Sequence, residues 1–215
     1  MNVVEREQVR EKLPKGWKWV RLREICEINP SRPRGLVRDD DAPTTFVPMP
    51  SVDARLGKIT KPEIRPFAEV RKGYTYFEEN DVLFAKISPC LENGKHSIAC
   101  NLIDSFGFGT TEFHVLRASS LVIPDWIYQF LRQPRILESA TEHFSGSVGQ
   151  QRLPTEYLSN LEISLPPLPE QKRIVGILSD RLSTIDKARA ATEAQLQAIN
   201  ALPAALLRQA FNGEL

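Results

Sequence analysis

From residue 170 onward an apolar side chain recurs every three or four positions: Ile174, Leu178, Leu182, Ile185, Ala188, Leu196, Ile199, Leu202, Leu206 and Ala210, with polar Thr192 in the one weak place. That spacing puts the side chains on one face of an α-helix. Glu170 supplies a negative charge where the helix N-terminus favours it, and Asn212-Gly213 is a natural stop. Only Pro203 interrupts the run, and good helix formers on both sides predict a kink rather than a break. About 40 residues at 1.5 Å each make a rod of roughly 60 Å. A 24.3 kDa chain cannot cover so long an apolar stripe by itself, so a second long helix from another chain is expected to lie against it.

The rest of the sequence is punctuated differently. Residues 1–165 hold 12 of the 16 prolines and 9 of the 11 glycines, and Pro166, Pro167 and Pro169 mark a boundary near residue 168. Before it, short apolar runs between turn residues predict strands at 19–22, 45–47, 81–87, 96–99, 112–116 and 161–165. Pro124 opens a helical pattern that continues through Ile136 and Leu137 after an interruption at Pro134. The predicted class is α+β: an N-terminal segment (1–15), a strand-rich domain (16–168) and one long C-terminal helix (169–215).

Charge does not announce a partner, because 28 basic residues stand against 27 acidic ones and no basic tail is present. The N-terminus lacks the apolar stretch of a secretory signal, and no run approaches the roughly 18 apolar residues of a membrane span. Cys26, Cys90 and Cys100 are an odd number without close pairing, which fits a reducing, cytoplasmic setting.

Catalytic motifs fail on their details. Asn29-Pro30-Ser31-Arg32 begins like the motif of amino-methyltransferases but lacks its second proline and the aromatic that stacks a flipped base. Phe106-Gly107-Phe108-Gly109 has wrongly spaced glycines for a cofactor loop. Glu170-Gln171-Lys172 has the Glu-x-Lys form used by some nucleases, yet it opens a long helix instead of lying on a strand beside a metal. Cys90, His96 and Cys100 offer neither a close ligand pair nor a fourth ligand for zinc. No catalytic or metal-binding residue is expected.

Several segments together resemble the specificity (S) subunits of type I restriction-modification systems. They are Leu13 to Leu22, Phe77 to Ile87 (where a glycine more often precedes the aspartate), Gly107 to Arg117, Gly146 to Pro154, Ile163 to Val175 with its Leu-Pro-Pro-Leu-Pro-Glu-Gln core, and Leu206 to Leu215. The resemblance implies a non-catalytic subunit whose target recognition domain reads one half of a bipartite DNA site. Its long helices would serve as a spacer that docks methyltransferase (M) subunits, with a restriction (R) subunit joining them. S-adenosylmethionine, ATP and Mg would then be bound by those partners and not by this chain. An ordinary member has two recognition domains and two such helices, so this sequence departs from the pattern as a half-length form.

Base edges favour Arg on guanine and Asn or Gln on adenine, while phosphates accept from Lys, Arg, Ser and backbone amides. Three loops carry such donors. Arg32, Arg34 and Arg38 follow the first strand; Lys86, Ser88, Asn93, Lys95 and His96 lie between two strands; Ser147, Gln150, Gln151 and Arg152 precede the boundary. Each also has a plainer reading: a solvated basic loop, a hairpin turn at Asn93-Gly94, and a structural connector. Antiparallel pairing of two copies, as a coiled coil along the stripe, would place two recognition domains on half-sites a turn or more apart. That arrangement predicts an inverted, interrupted DNA repeat. Two other possibilities remain open: a recognition fragment of a larger methyltransferase or nuclease polypeptide, and a truncated half that only complements another half-subunit.

Overall fold

A computed structural model of the chain describes residues 13–147 and 151–214. Its internal contacts divide after Gln171. In the first unit, two four-stranded sheets supply the body. One has the order β6-β3-β10-β7, in which β3 (Pro43–Val47) runs parallel to β10 (Phe106–Gly109), with β6 (Glu63–Pro66) and β7 (Thr75–Glu78) antiparallel on the outside. The other is wholly antiparallel, in the order β2 (Cys26–Ile28), β11 (Phe113–Ala118), β8 (Val82–Ala85) and β9 (His96–Ile98). Two short ribbons complete the strands: β1 (Lys18–Arg21) with β12 (Glu162–Leu165), and β4 (Val52–Asp53) with β5 (Lys58–Ile59).

Period-two alternation explains why these residues form sheets with both faces covered. Along β8, Leu83 and Ala85 meet Val47 and Phe77 of the other sheet in a shared core, whereas Val82 and Phe84 point the opposite way. There they are covered by residues of α1 (Leu22–Ile25), α3 (Pro124–Leu131), α4 (Pro134–Glu142) and α5 (Thr155–Asn160). On the far side of the first sheet, Phe46, Tyr76, Phe106 and Phe108 pack with Phe67 and Val70 of α2 (Phe67–Val70). Each fully buried Phe or Leu is worth about 1.5–3 kcal/mol of transfer free energy.

The glycines of β10 are packing residues. A Cβ at Gly107 would stand 2.9 Å from the Phe77 ring and 3.0 Å from the Thr45 carbonyl, and one at Gly109 2.8 Å from the Val47 carbonyl. Phe77 therefore lies across the bare backbone of its neighbouring strand. Asn80, between β7 and β8, has φ of 70°, a left-handed conformation that glycine adopts freely and asparagine tolerates. This is the position before Asp81 where glycine is the commoner residue of the resemblance, and the turn supplies its reason. Asp81 itself is buried: it accepts from the Glu78 amide at 2.7 Å and from the Arg117 guanidinium at 2.9 and 2.7 Å.

Some expectations need correction. The pattern beginning at Pro124 makes two helices, because Gln133 is held extended before Pro134, which becomes the first residue of α4. The strands β2, β4, β5, β6, β7 and β10 escape the run-based reading. They are short, and β6 is mostly exposed and charged while β10 is half glycine.

The long helix, α6 (Leu168–Phe211), runs on through Pro203. It ends in a Schellman motif: Glu214 N–H donates to the Gln209 carbonyl (3.0 Å), Gly213 N–H to that of Ala210 (3.4 Å), and Gly213 has φ of 73°. Its first turn is tied in place by Gln171, which is wholly buried. The Gln171 side chain accepts from the Ile123 amide (3.0 Å) and donates to the carbonyls of Leu121 (3.0 Å) and Pro166 (2.9 Å). Beyond Gln171 the apolar face lies open within the single chain, Ile174 half-buried and Leu178, Leu182, Ile185, Leu196, Ile199, Leu202 and Leu206 exposed. Among the described residues no helix is long and apolar enough to cross a membrane.

Candidate nucleic-acid interface

An open cleft of about 500 Å³ lies between the 29–32 loop, the 71–76 segment and the neighbouring ends of β8 and β11. Arg32, Arg71 and Lys86 line it. Arg32 donates to the Arg71 carbonyl at 3.0 Å, which joins the two loops, and Arg71 pairs with Asp40 at 2.7 Å. Lys86 emerges from the end of β8 and is half-buried; desolvation lowers its pKa against the opposing pull of Glu112. Three cations around a polar, solvent-open cleft suit phosphate, and the exposed Tyr74 in its wall offers a flat surface beside them.

Beside Lys86, Glu112 grips Arg152 through two bonds, Nε to Oε2 at 2.9 Å and Nη2 to Oε1 at 2.8 Å. The hydrogen bonds from Arg152 hold the Glu112 carboxyl below its usual range. Backbone bonds lay this segment on the strand end: Ser88 N–H donates to the Gln151 carbonyl (3.2 Å) and Leu153 N–H to that of Lys86 (2.8 Å). Tertiary structure thus gathers Lys86, Ser88, Gln151 and Arg152 from two of the three predicted loops. Ser147 is exposed, and Gln150 lies outside the described residues.

Asn29 shows why its Asn-Pro dipeptide serves structure. Its backbone N–H donates to the Val115 carbonyl (2.7 Å) and its side-chain oxygen accepts from the Val115 amide (3.0 Å). Its side-chain nitrogen reaches His114 Nδ1 (3.1 Å) and Thr155 Oγ1 (3.2 Å). His114 Nε2 lies 2.7 Å from the Leu153 carbonyl, so the proton sits on Nε2 and Nδ1 accepts from Asn29. Burial pushes the His114 pKa down to about 4, keeping the ring neutral. The chain from Asn29 through His114 to Leu153 fastens the 29–32 loop and the 151–155 segment to the same strand.

Other predicted donors are placed elsewhere. His96 is fully buried, stacked on Phe84 with ring centroids 4.1 Å apart, and its Nδ1 accepts from the Ala85 amide at 3.2 Å. Burial lowers its pKa to about 3, so it presents neither a face nor a charge to solvent. The Lys95 ammonium is spent on the carbonyls of Val52 (2.9 Å) and Met49 (3.3 Å). Arg38 bonds the Pro43 carbonyl (2.9 Å), pairs with Asp104 and covers the Phe106 ring. Ser88 donates to Glu92 at 2.7 Å; Arg34 and Asn93 are exposed. Arg71 is the lining cation that the loop-by-loop reading missed. Its signal was the basic turn Arg71-Lys72-Gly73-Tyr74, which continues β6 and α2 and so carried no strand-end mark of its own.

Residues 14–199 match the family model described as the type I restriction modification DNA specificity domain. Over 176 residues, 81% of this chain, the sequence is 40% identical to the specificity subunit of the Escherichia coli type I restriction enzyme EcoEI and 38% identical to that of EcoAI. Among solved structures, the HsdS subunit from Thermoanaerobacter tengcongensis superposes with a TM-score of 0.69 at 23% identity. A chain from work on complex assembly and conformational transition of the type I R-M system reaches 0.72 at 25% identity. Each of those matches covers 94% of this chain and 50% of the other, whereas the curated relatives are matched over 29% of their length. With the match running from the first ribbon through most of α6, the chain belongs to the type I restriction-modification DNA specificity family.

Proposed function

We propose that the chain is a DNA-reading specificity subunit that makes and breaks no bonds. It reads one half-site through its recognition domain, and it pairs with a second copy along α6. The paired helices give M subunits, and through them an R subunit, a platform. S-adenosylmethionine, ATP and Mg belong to those partners, and the assembly works on double-stranded DNA in the cytoplasm. The observation that carries this reading is the family match over residues 14–199, which takes in both the recognition domain and the greater part of α6. The cleft of Arg32, Arg71 and Lys86, with Arg152 close by, is the cationic surface nearest the loops whose donors reach solvent.

The test is to map the methylated motif in cells that hold this protein and its methyltransferase. An inverted, interrupted repeat is expected, and an asymmetric motif overturns self-pairing. A second reading has its own observation, the 29% coverage of the curated relatives. In that case the chain complements another half-subunit or forms the recognition part of a longer polypeptide. Mass measurement of the isolated protein distinguishes the two: a dimer supports self-pairing, and a monomer supports the complement.

A further inference from the structure

The turn Arg71-Lys72-Gly73-Tyr74 joins α2 to β7 and contributes Arg71 and Tyr74 to the cationic cleft. Lys72, Gly73 and Tyr74 are exposed, Gly73 has φ of 80°, and a Cβ built there would meet nothing within 4 Å, so the turn projects into open space. Its two ends are nevertheless fixed. The Arg71 amide donates to the Phe67 carbonyl at 3.0 Å, and Thr75, directly after Tyr74, pairs with Gly109 of β10. The Tyr74 ring leans on Phe46, a buried side chain of β3, with centroids 4.7 Å apart and planes 72° from each other. The Arg65 guanidinium covers the same Phe46 ring at 4.0 Å.

Tyr74 differs from the rest of the cleft. Arg32, Arg71 and Lys86 are cationic, and the other aromatic rings of the wall, Tyr76, Phe108 and Phe113, are buried. Tyr74 is the one large apolar side chain of the lining that stays exposed, at 40%. Cations answer to phosphate, but an apolar ring gains little there. In the major groove, base-pair edges present hydrogen-bond donors and acceptors and a single apolar group, the C5-methyl of thymine. A ring already held by its neighbours gives up little conformational freedom on meeting that methyl.

We infer that Tyr74 reads a thymine: with the cations of the cleft on phosphates, its ring packs against the C5-methyl of one A·T pair in the half-site. This rests on the DNA-reading function proposed above and names the base chemistry that one residue of the cleft selects. Phosphate contact alone would leave the turn indifferent to sequence, whereas the ring makes it discriminate.

The test uses the full chain with its methyltransferase and a duplex carrying the motif that the methylation map defines. Each thymine of one half-site is replaced in turn by deoxyuridine, which pairs in the same way and lacks only the methyl. The wild-type chain is expected to lose affinity roughly fourfold at one position, the worth of one buried methyl group. Tyr74→Ala is expected to bind the thymine and deoxyuridine duplexes equally at that position, with its salt slope unchanged because no charge has been removed. Tyr74→Phe keeps the ring and is expected to keep the discrimination. The contact is overturned by discrimination that survives in Tyr74→Ala, is lost in Tyr74→Phe, or is absent at every position in wild type, and equally by a half-site without an A·T pair. In each of these cases DNA reading itself stands. A wild-type chain that binds the motif and a scrambled duplex alike overturns DNA reading, and the contact falls with it.

Discussion

In β8 all four side chains are buried, two on each face of the sheet, whereas along the 44 residues of α6 the one buried side chain is that of Gln171. The same class of residue fills both regions, Leu, Ile, Val and Ala, but in the recognition domain both faces of β8 are covered by core residues of the same chain. Beyond the first turn of α6, Leu178, Leu182, Ile185, Leu196, Ile199, Leu202 and Leu206 are exposed, with no such cover among the described residues. A domain covered by itself holds its shape whatever it meets. A helix with Leu196, Ile199 and Leu202 each more than half exposed gains its burial free energy only in an assembly.

The contrast is open to direct attack, most strongly in the core. Phe84→Ala removes a fully buried ring from between β8 and the helices on its outer side, and a loss of about 3–5 kcal/mol in urea unfolding is expected. Ile185→Ala at a protein concentration that keeps the chain monomeric is expected to cost less than about 1 kcal/mol, the scale of an exposed helical site. Equal losses from the two substitutions would erase the distinction between the regions.

Acid sharpens the same contrast. His96 and His114 titrate at about 3 and about 4 in the folded chain, against about 6.5 when unfolded. Below pH 6.5 the unfolded state binds protons that the folded state refuses, so stability falls as pH drops toward 4. The slope is about 1.4 kcal/mol per pH unit for each histidine. Because α6 contains no histidine, a chain cut after Lys172 is expected to keep this acid limb, while a flat stability profile between pH 6.5 and 4.5 would contradict the buried, neutral rings.

Gln171 tests the seam. Gln171→Ala leaves the Ile123 amide and the carbonyls of Leu121 and Pro166 without that partner, an expected loss of about 1–3 kcal/mol by thermal or urea unfolding. A loss under about 0.5 kcal/mol would place the first turn of α6 with the exposed rod instead of with the core. The smallest stability effect is expected at the cleft. Arg71→Ala, at an ion pair open to solvent, should change stability by no more than about 0.5 kcal/mol. Its signature is instead in DNA binding, where the slope of log affinity against log salt should shrink by about one. An unchanged salt slope would move the interface away from this cleft.

How much of this was legible beforehand follows from the range of the signals. The α6 stripe and its glycine stop are local patterns, and each stands where the spacing predicts. The strands at 45–47, 81–87, 96–99 and 112–116 were legible because their apolar runs are buried on both faces. The strand β10 was not, because its glycines have meaning only against Phe77 of the adjacent strand. The candidate interface divides in the same way. Arg32 and Lys86 carry a charge that any reading of the loops finds, but nothing near His96 in sequence reveals that its ring is stacked beneath the sheet surface on Phe84. Nor does the sequence around Arg71 show that its backbone receives Arg32 from 39 residues away.

Sequence alone determined the long helix and the apolar face it leaves bare, because helical periodicity converts spacing directly into direction. It also determined family membership, through segments kept in a fixed order. Tertiary structure decided which donors meet in one cleft, which are consumed by backbone carbonyls, and which glycines are there to admit a neighbouring ring. Those outcomes depend on contacts between strands far apart in the chain, and a side chain's availability for DNA is what remains after those contacts are made.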